Sequence, residues 1–483
     1  MVRVHAIPFD PRVTAERVFR AAPSAARPAW LDSSDPAHEA SRTSYVAWDP
    51  WATLEFRTGA ARLFLHEPGG ASFELGGDPF DALRTALGLW TTDRGAGRGP
   101  VGAPFTTGAV GYLSYELGGY LERLPEPPRD DLGFPAMQVR FYNIVFAYDH
   151  AAERGCLFVG EMEGDPRRSG PGYVRAAAEG LASRLGAPQE GTEPRAGDPV
   201  APECDTTRPE YLRAVERARR EIARGEIFQV NISQRFAWPV HEPPADLYLR
   251  LRDRHPACYG AFLSVDPGHS VLSLSPELYL KLRGREVETR PIKGTAPRSP
   301  DPSLDAVARE RLLASEKDRS ELIMIVDLER NDLGRVCEFG SVRADRLAQV
   351  ESFATVHHLV ARVTGRLRRG LDAVDLLAAS FPGGSVTGAP KIRAMEIIAD
   401  IETTARSVYT GSIGWIGLDG DLEMNIAIRT VLHAGNRAVC RVGGAVVADS
   451  DPAAEYEETL HKGRALFETL SGGALMPASF PIP

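Results

Sequence analysis

The chain has 483 residues, 43% of them hydrophobic, and a formal net charge of −9. That length supports one large or two to three ordinary domains with a substantial core, and the acidic balance leaves no basic footprint for nucleic acid. No apolar run is long enough to span a membrane, and Met1 to Pro8 lacks the apolar stretch and cleavage site of a secretory signal, so a cytoplasmic protein with a small partner molecule is expected.

Five cysteines (Cys156, Cys204, Cys258, Cys337, Cys440) are scattered, with no spacing that reads as a zinc or redox motif. Residues up to about 185 read as an antiparallel, β-rich half with a few helices. Alternation in Ser44–Trp48 and Ala61–Leu65 suits half-buried strands, whereas Pro79 to Leu87 has helical spacing. The small residues of Gly108–Glu116 fit a packed strand or turn. Arg140 to Tyr148 reads as one strand, answered across a turn by Cys156–Val159, and Tyr173 to Leu185 as a helix. The Pro- and Gly-rich stretch 187–207 reads as a linker between an N-terminal region, 1–186, and a second region, 208–475.

The second region opens with a helix over about 209–224 and an alternating strand, Glu226–Phe236. The polar face of that strand, Gln229, Asn231 and Ser233, lines a cavity or faces water. An apolar strand then ends at Glu277, and a hairpin leads into the loop Arg290–Arg298, where Lys293 stands between proline and glycine with arginines nearby. Glu277 and Lys293 can therefore converge. Desolvation or neighbouring positive charge favours the neutral, nucleophilic form of such an amine. Helices over about 303–314 and 317–328 follow, the second carrying Asp318 and Glu321 one turn apart; Glu455 and Glu458 repeat that spacing on a helix ending around Leu470. Two helical acidic pairs suggest a divalent ion, since magnesium takes one or two carboxylates together with water and an anionic substrate. Between them, the Gly-rich turn Phe381–Lys391 is expected to present free backbone amides to an anion, without the Walker A order.

These segments together resemble the chorismate-utilising enzymes, and within them the component I chains of aminodeoxychorismate synthases. The resemblance rests on Glu226–Phe236, Ser275-Pro276-Glu277, Pro291-Ile292-Lys293-Gly294-Thr295, Lys317–Glu321, Val326–Arg335, Phe381–Lys391, Asn425–Thr430 and Ala448–Lys462. It covers about residues 205–470 strongly and the first half more weakly, through Trp30–Ser33 and Gly111–Glu116. It implies an α/β (α+β) fold: two large antiparallel sheets packed as a sandwich with helices outside, the two regions forming one intertwined unit.

The resemblance also implies a site. Lys293, Glu277 and His358 match catalytic residues, and His357 beside the last is structural. Thr295, Thr387, Tyr409, Arg429, Gly443, Gly444 and Lys462 match substrate-binding positions, with Tyr409, Arg429 and the amides near Gly443 and Gly444 on the enolpyruvyl carboxylate. Glu321 and Glu458 match magnesium ligands, with Asp318 and Glu455 beside them. Ser33 matches a tryptophan-pocket serine, although Trp30-Leu31-Asp32-Ser33 departs from the usual Leu-Leu-Glu-Ser. Anthranilate synthases resemble this chain almost throughout but carry alanine where Lys293 stands. The implied reaction joins chorismate and ammonia into 4-amino-4-deoxychorismate for p-aminobenzoate and folate synthesis. No segment here offers the cysteine nucleophile of a glutaminase, so a separate glutaminase subunit is the expected partner. The alternatives are an anthranilate synthase component I and a catalytically silent binding or allosteric subunit.

Overall fold

The structure, a computed structural model, describes residues 1–472 except 36, 37, 39, 68, 93–98 and 188–199. Most of the expected linker lies outside the described residues. In its described end, Glu203–Cys204 adds a short strand to the edge of Gln229–Pro239, and Thr207 with Glu210 forms the capping box of the helix Arg208–Ala223.

Among the described residues, two twelve-stranded antiparallel sheets face each other, with helices outside. Both sheets draw strands from either side of the unassigned stretch. In the first, Ala29–Asp32 pairs with Tyr259–Asp266, with Trp30 opposite Phe262; in the second, Gly108–Leu113 pairs with Ser412–Gly417. At that second junction Gly111 and Gly414 lie directly opposite each other. A Cβ on either would come within 2.0 Å of a carbonyl oxygen of the neighbouring strand, so only glycine fits. Tyr45, Phe105, Tyr112, Phe158 and Trp415 fill the space between the sheets, the rings of Phe105 and Trp415 stacking at 5.0 Å.

The expected strand Arg140–Tyr148 is two strands. Met137–Tyr142 belongs to the second sheet and Ile144–Asp149 to the first, with buried Asn143 between them donating to Gly160 O and Tyr173 Oη. Every residue of both segments is buried, so the run shows no alternation of exposure that would mark the change of sheet. The chain makes the same move again at two crossings that run side by side. After His269–Ser275 it passes through Pro276 and Glu277 into Leu278–Arg283; after Leu422–Ile426 it returns through residues 427–429 into Thr430–Ala434. The crossings are tied by Ile426 N–H to Glu277 O at 3.1 Å, Leu274 N–H to Arg429 O at 3.0 Å and Ser275 Oγ–H to Ile426 O at 2.6 Å.

The strand Gln229–Pro239 turns its polar face inward. Ser233 donates through both N–H and Oγ to Glu402, whose carboxylate also takes Arg406 at 2.7 Å and Arg441 at 3.0 Å. Burial opposes the charge on Glu402, but the two guanidiniums outweigh it and hold its carboxyl below the usual range. Among the described residues no helix is long and apolar enough to cross a membrane. Replacing Glu402 by Ala strands two buried guanidiniums, and the expected cost is about 3–5 kcal/mol. Urea unfolding of Glu402→Ala against wild type checks this; an unchanged midpoint would show that the network carries no stability.

Candidate active site

The segment carrying Lys293 is a strand, not the loop that its Pro and Gly suggest. Ile292–Pro297 pairs with Val356–Arg366, and the register slips between Lys293 and Thr295, so Gly294 sits in a bulge at φ +66°. A Cβ there would also meet Asp318 Cγ and Leu312 Cδ1 at 2.9 Å. Glycine thus lets the lysine strand close onto the helix Glu316–Gly334, which Ser315 caps through Asp318 N–H. The bulge aims Lys293 inward, and its Nζ donates to Ser385 O at 3.0 Å.

Lys293 is half-buried. Burial lowers its pKa, opposed by the negative charges of Glu321, Glu277 and Glu458 and assisted by Lys462. Glu277, in the crossing between the sheets, is only 4% exposed. Burial pushes its carboxyl up to about 7 against the pull of Lys293 and Arg429. Ser385 stands beside it, its Oγ buried without a well-formed hydrogen bond. Behind it Glu329 accepts from Thr289 Oγ1 at 3.1 Å, and burial raises its carboxyl well above the ordinary value. The environment favours a neutral amine near a neutral carboxylic acid.

In the Gly-rich turn, expected to offer amides to an anion, the carbonyls accept from cations and amides of the protein. Its residues form a short 3₁₀ turn, Gly384–Val386. Ser385 O accepts from Lys293 and from Asn231 Nδ2, Val386 O from Arg406 Nη1, and Thr387 O from Asn231 N–H. Thr387 is fully buried with its hydroxyl donating to Gly383 O at 3.0 Å, so its side chain closes the turn. The helix begins only at Lys391, whose Nζ is taken by Asp332 at 2.6 Å and Ser380 O.

Arg429 occupies the second crossing at φ +50°, a conformation that costs a non-glycine residue about 1–3 kcal/mol and collects at functional sites. Burial lowers its pKa and Glu277 opposes the shift. His358 faces the cluster with Nδ1 2.9 Å from Thr295 Oγ1 and 3.4 Å from Gly294 O, while its buried Nε2 has no partner. The Gly294 carbonyl can only accept, which places the proton on Nδ1 and leaves Nε2 as an open acceptor. His357, next to it, points away to Asp305 and Ser352 and is structural. Tyr409 is buried one turn from Arg406, and burial pushes its phenol up to about 12.

The C-terminal helix Pro452–Leu470 closes the other side. Glu458 pairs with Lys462 at 2.8 Å, and Lys462 Nζ lies 3.4 Å from Gly443 O. Burial opposes ionisation of Glu458, but Lys462, Lys317 and Lys293 together hold its carboxyl below the ordinary value. Glu321 is raised, by burial first and then by Asp318 and Glu458, so the acidic side chains of the two helices feel one another. Glu455 Oε1 accepts from Ser450, while its Oε2, which a Cβ on Gly444 would meet at 3.4 Å, is buried without a partner. Among the described residues no three His, Cys, Asp or Glu side chains converge as a metal cage. Two opposed carboxylates and an orphaned oxygen do fit magnesium, which completes its shell with water and substrate oxygens.

Ser33 lies apart from this cluster. Its Oγ is within reach of Thr43 O (3.0 Å) and Cys258 O (3.2 Å), and it lines a small cavity between the sheets with Tyr45, Trp415 and Met424. Sequence reasoning left Asn231 undecided and missed Ser385, Arg406 and Phe353. Ser385 and Arg406 lie in or near conspicuous Gly/Ser segments, but only tertiary contact gives them partners. Because burial pushes His358 down to about 3, its ring should stay neutral from about pH 8 to 5, where an ordinary histidine titrates near 6.5. The unfolded chain then binds the extra proton, so this residue's contribution to stability falls as pH drops below about 6.5. Nitrogen-15 NMR of labelled histidine measures this directly; a midpoint near 6.5 would contradict the buried setting.

Comparison with known proteins agrees with the fold and covers nearly the whole chain. The chorismate binding enzyme family matches residues 27–468. Anthranilate synthase component 1 of Streptomyces coelicolor is 42% identical over 81% of this chain and 77% of its own length. Aminodeoxychorismate synthase component 1 of Bacillus subtilis is 36% identical over 89% of each chain. The crystal structure of anthranilate synthase component I from Streptococcus pneumoniae superposes with a TM-score of 0.77, at 31% identity over 88% of this chain and 92% of that one. The two facing sheets, the helices around them and the family match lead to one statement: the chain belongs to the chorismate-binding enzyme family.

Proposed function

We propose that this chain is component I of an aminodeoxychorismate synthase, a magnesium-dependent enzyme that converts chorismate and ammonia to 4-amino-4-deoxychorismate on the way to p-aminobenzoate. The observation that carries the reading is Lys293, a crowded amine with a lowered pKa near the raised carboxyl of Glu277. That is the pairing of nucleophile and general acid that a displaced hydroxide requires, since hydroxide leaves poorly without a proton.

In this reading neutral Lys293 attacks C2 of the ring, the two ring double bonds shift, and the C4 hydroxyl departs as water with the proton of Glu277. Ammonia then adds at C4, the double bonds return, and the bond between C2 and Lys293 breaks to release the amine. General acid catalysis of this kind is worth about 10²–10⁴ in rate. Arg429, Tyr409 and the backbone at Gly443 and Gly444 hold the enolpyruvyl carboxylate, and an arginine fork suits that group. The open Nε2 of His358 accepts from the C4 hydroxyl and orients it, with Thr295 fixing the ring. Glu321 and Glu458 would hold magnesium, with Asp318 and Glu455 beside them; when bound, the ion neutralises the ring carboxylate and makes C2 more electrophilic.

Ammonia comes from a separate glutaminase subunit in this account, as the component 1 names of the relatives suggest. The five unpaired cysteines accord with a reducing, cytoplasmic setting. The second reading, anthranilate synthase component I, is favoured by the 42% identity to the Streptomyces coelicolor protein. Mass spectrometry and chromatography of products from chorismate, magnesium and ammonium chloride separate the two. Wild type should give the 4-amino isomer, and Lys293→Ala, with C2 open, should slowly give the 2-amino isomer. Anthranilate from the wild type would establish the second reading.

A further inference from the structure

We propose that His38, from the first half of the chain, is a positioning residue that sets the ring of His358 through Phe353; the inference rests on the role given to His358 above. His358 has one side-chain tether, Thr295 Oγ1 at Nδ1, and its Nε2 has none, so hydrogen bonding alone leaves the ring free to tilt about that pivot. Packed against it is Phe353, whose ring meets it edge-on at 5.1 Å and 71°. Phe353 is in turn covered by His38, stacked at 4.3 Å and 9°.

The covering ring is itself held at both nitrogens. His38 Nδ1 accepts from Ala40 N–H at 3.1 Å, which leaves Nε2–H to donate to Glu351 at 2.9 Å, and Glu351 is anchored by Arg290. A parallel tie joins the same two segments, Ala354 N–H donating to Asp35 at 3.0 Å. Residues more than 300 positions apart thus form a stack of three rings, His38, Phe353 and His358, of which only the last faces the reacting centre. His38 is 9% exposed, Phe353 6% and His358 3%, so no solvent layer cushions the stack. Removing His38 opens a void on the far face of Phe353, and displacements at a catalytic group on the scale of 1 Å are costly.

The test follows disappearance of chorismate with magnesium and ammonium chloride, a readout that does not depend on which amino isomer forms. His38→Ala should lower kcat about tenfold with KM for chorismate nearly unchanged. His38→Phe, which keeps the stacked ring, should restore kcat to within about twofold of wild type. In a His358→Ala background His38→Ala should have no further effect, because its influence passes through that ring. A full additional loss in the double variant, or equal defects in His38→Ala and His38→Phe, would overturn the proposal. Nitrogen-15 resonances of the His358 ring give a check without turnover: they should move in His38→Ala and return in His38→Phe, and resonances that do not move would overturn it equally. An inactive wild type would count against the proposed function and leave that NMR comparison to decide.

Discussion

Two strands leave one sheet for the other at the same place, and the site depends on that shared crossing. The chain must turn out of the plane at residues 276–277 and again at 427–429, and each crossing satisfies the other's backbone through Glu277 O and Arg429 O. Unpaired backbone groups this deep would each cost on the order of 1–3 kcal/mol. Because pairing satisfies them, the sheets can part without a solvent-filled defect. Glu277 and Arg429, whose carbonyls accept there, also carry two of the side chains of the proposed site.

The same geometry sets the electrostatics. A carboxyl in the crossing cannot be well hydrated, so burial raises Glu277 to about 7, and the amine opposite it is lowered by the same cause. The carboxylates of the two helices lie farther out, where lysines can reach them. Glu458 consequently falls below its ordinary value while Glu321 stays above it. Acid chemistry is favoured at the crossing and cation binding at the helices, from the same residue type, because burial and partners differ.

The residues proposed for the chemistry were legible in the sequence, but the contacts around them were not. Lys293, Glu277 and the helical acid pairs stood out because their residue types and spacing have few uses together. The bulge was hidden because proline and glycine in Pro291–Gly294 read as a loop, whereas pairing with Val356–Arg366 makes the segment a strand that uses glycine only to slip register. Alternation gave the polar face of Gln229–Ser233 but not what lay opposite; Arg406 and Glu402 decided that it faces inward. The Gly-rich turn was recognised but the partners of its carbonyls were not, since they include Asn231, far along the chain. His38 and Phe353 left no local signal at all, because a stack across the two halves has no periodicity to read.

The central claim is that Lys293 bonds to the substrate and does not merely balance its charge. Intact-protein mass spectrometry of the wild type, with chorismate and magnesium but no ammonia, tests it most directly. The account predicts a mass increase equal to chorismate less one water, located on Lys293 by digestion and absent from Lys293→Ala. An unmodified wild type, together with undiminished formation of the 4-amino product by Lys293→Ala, would contradict it.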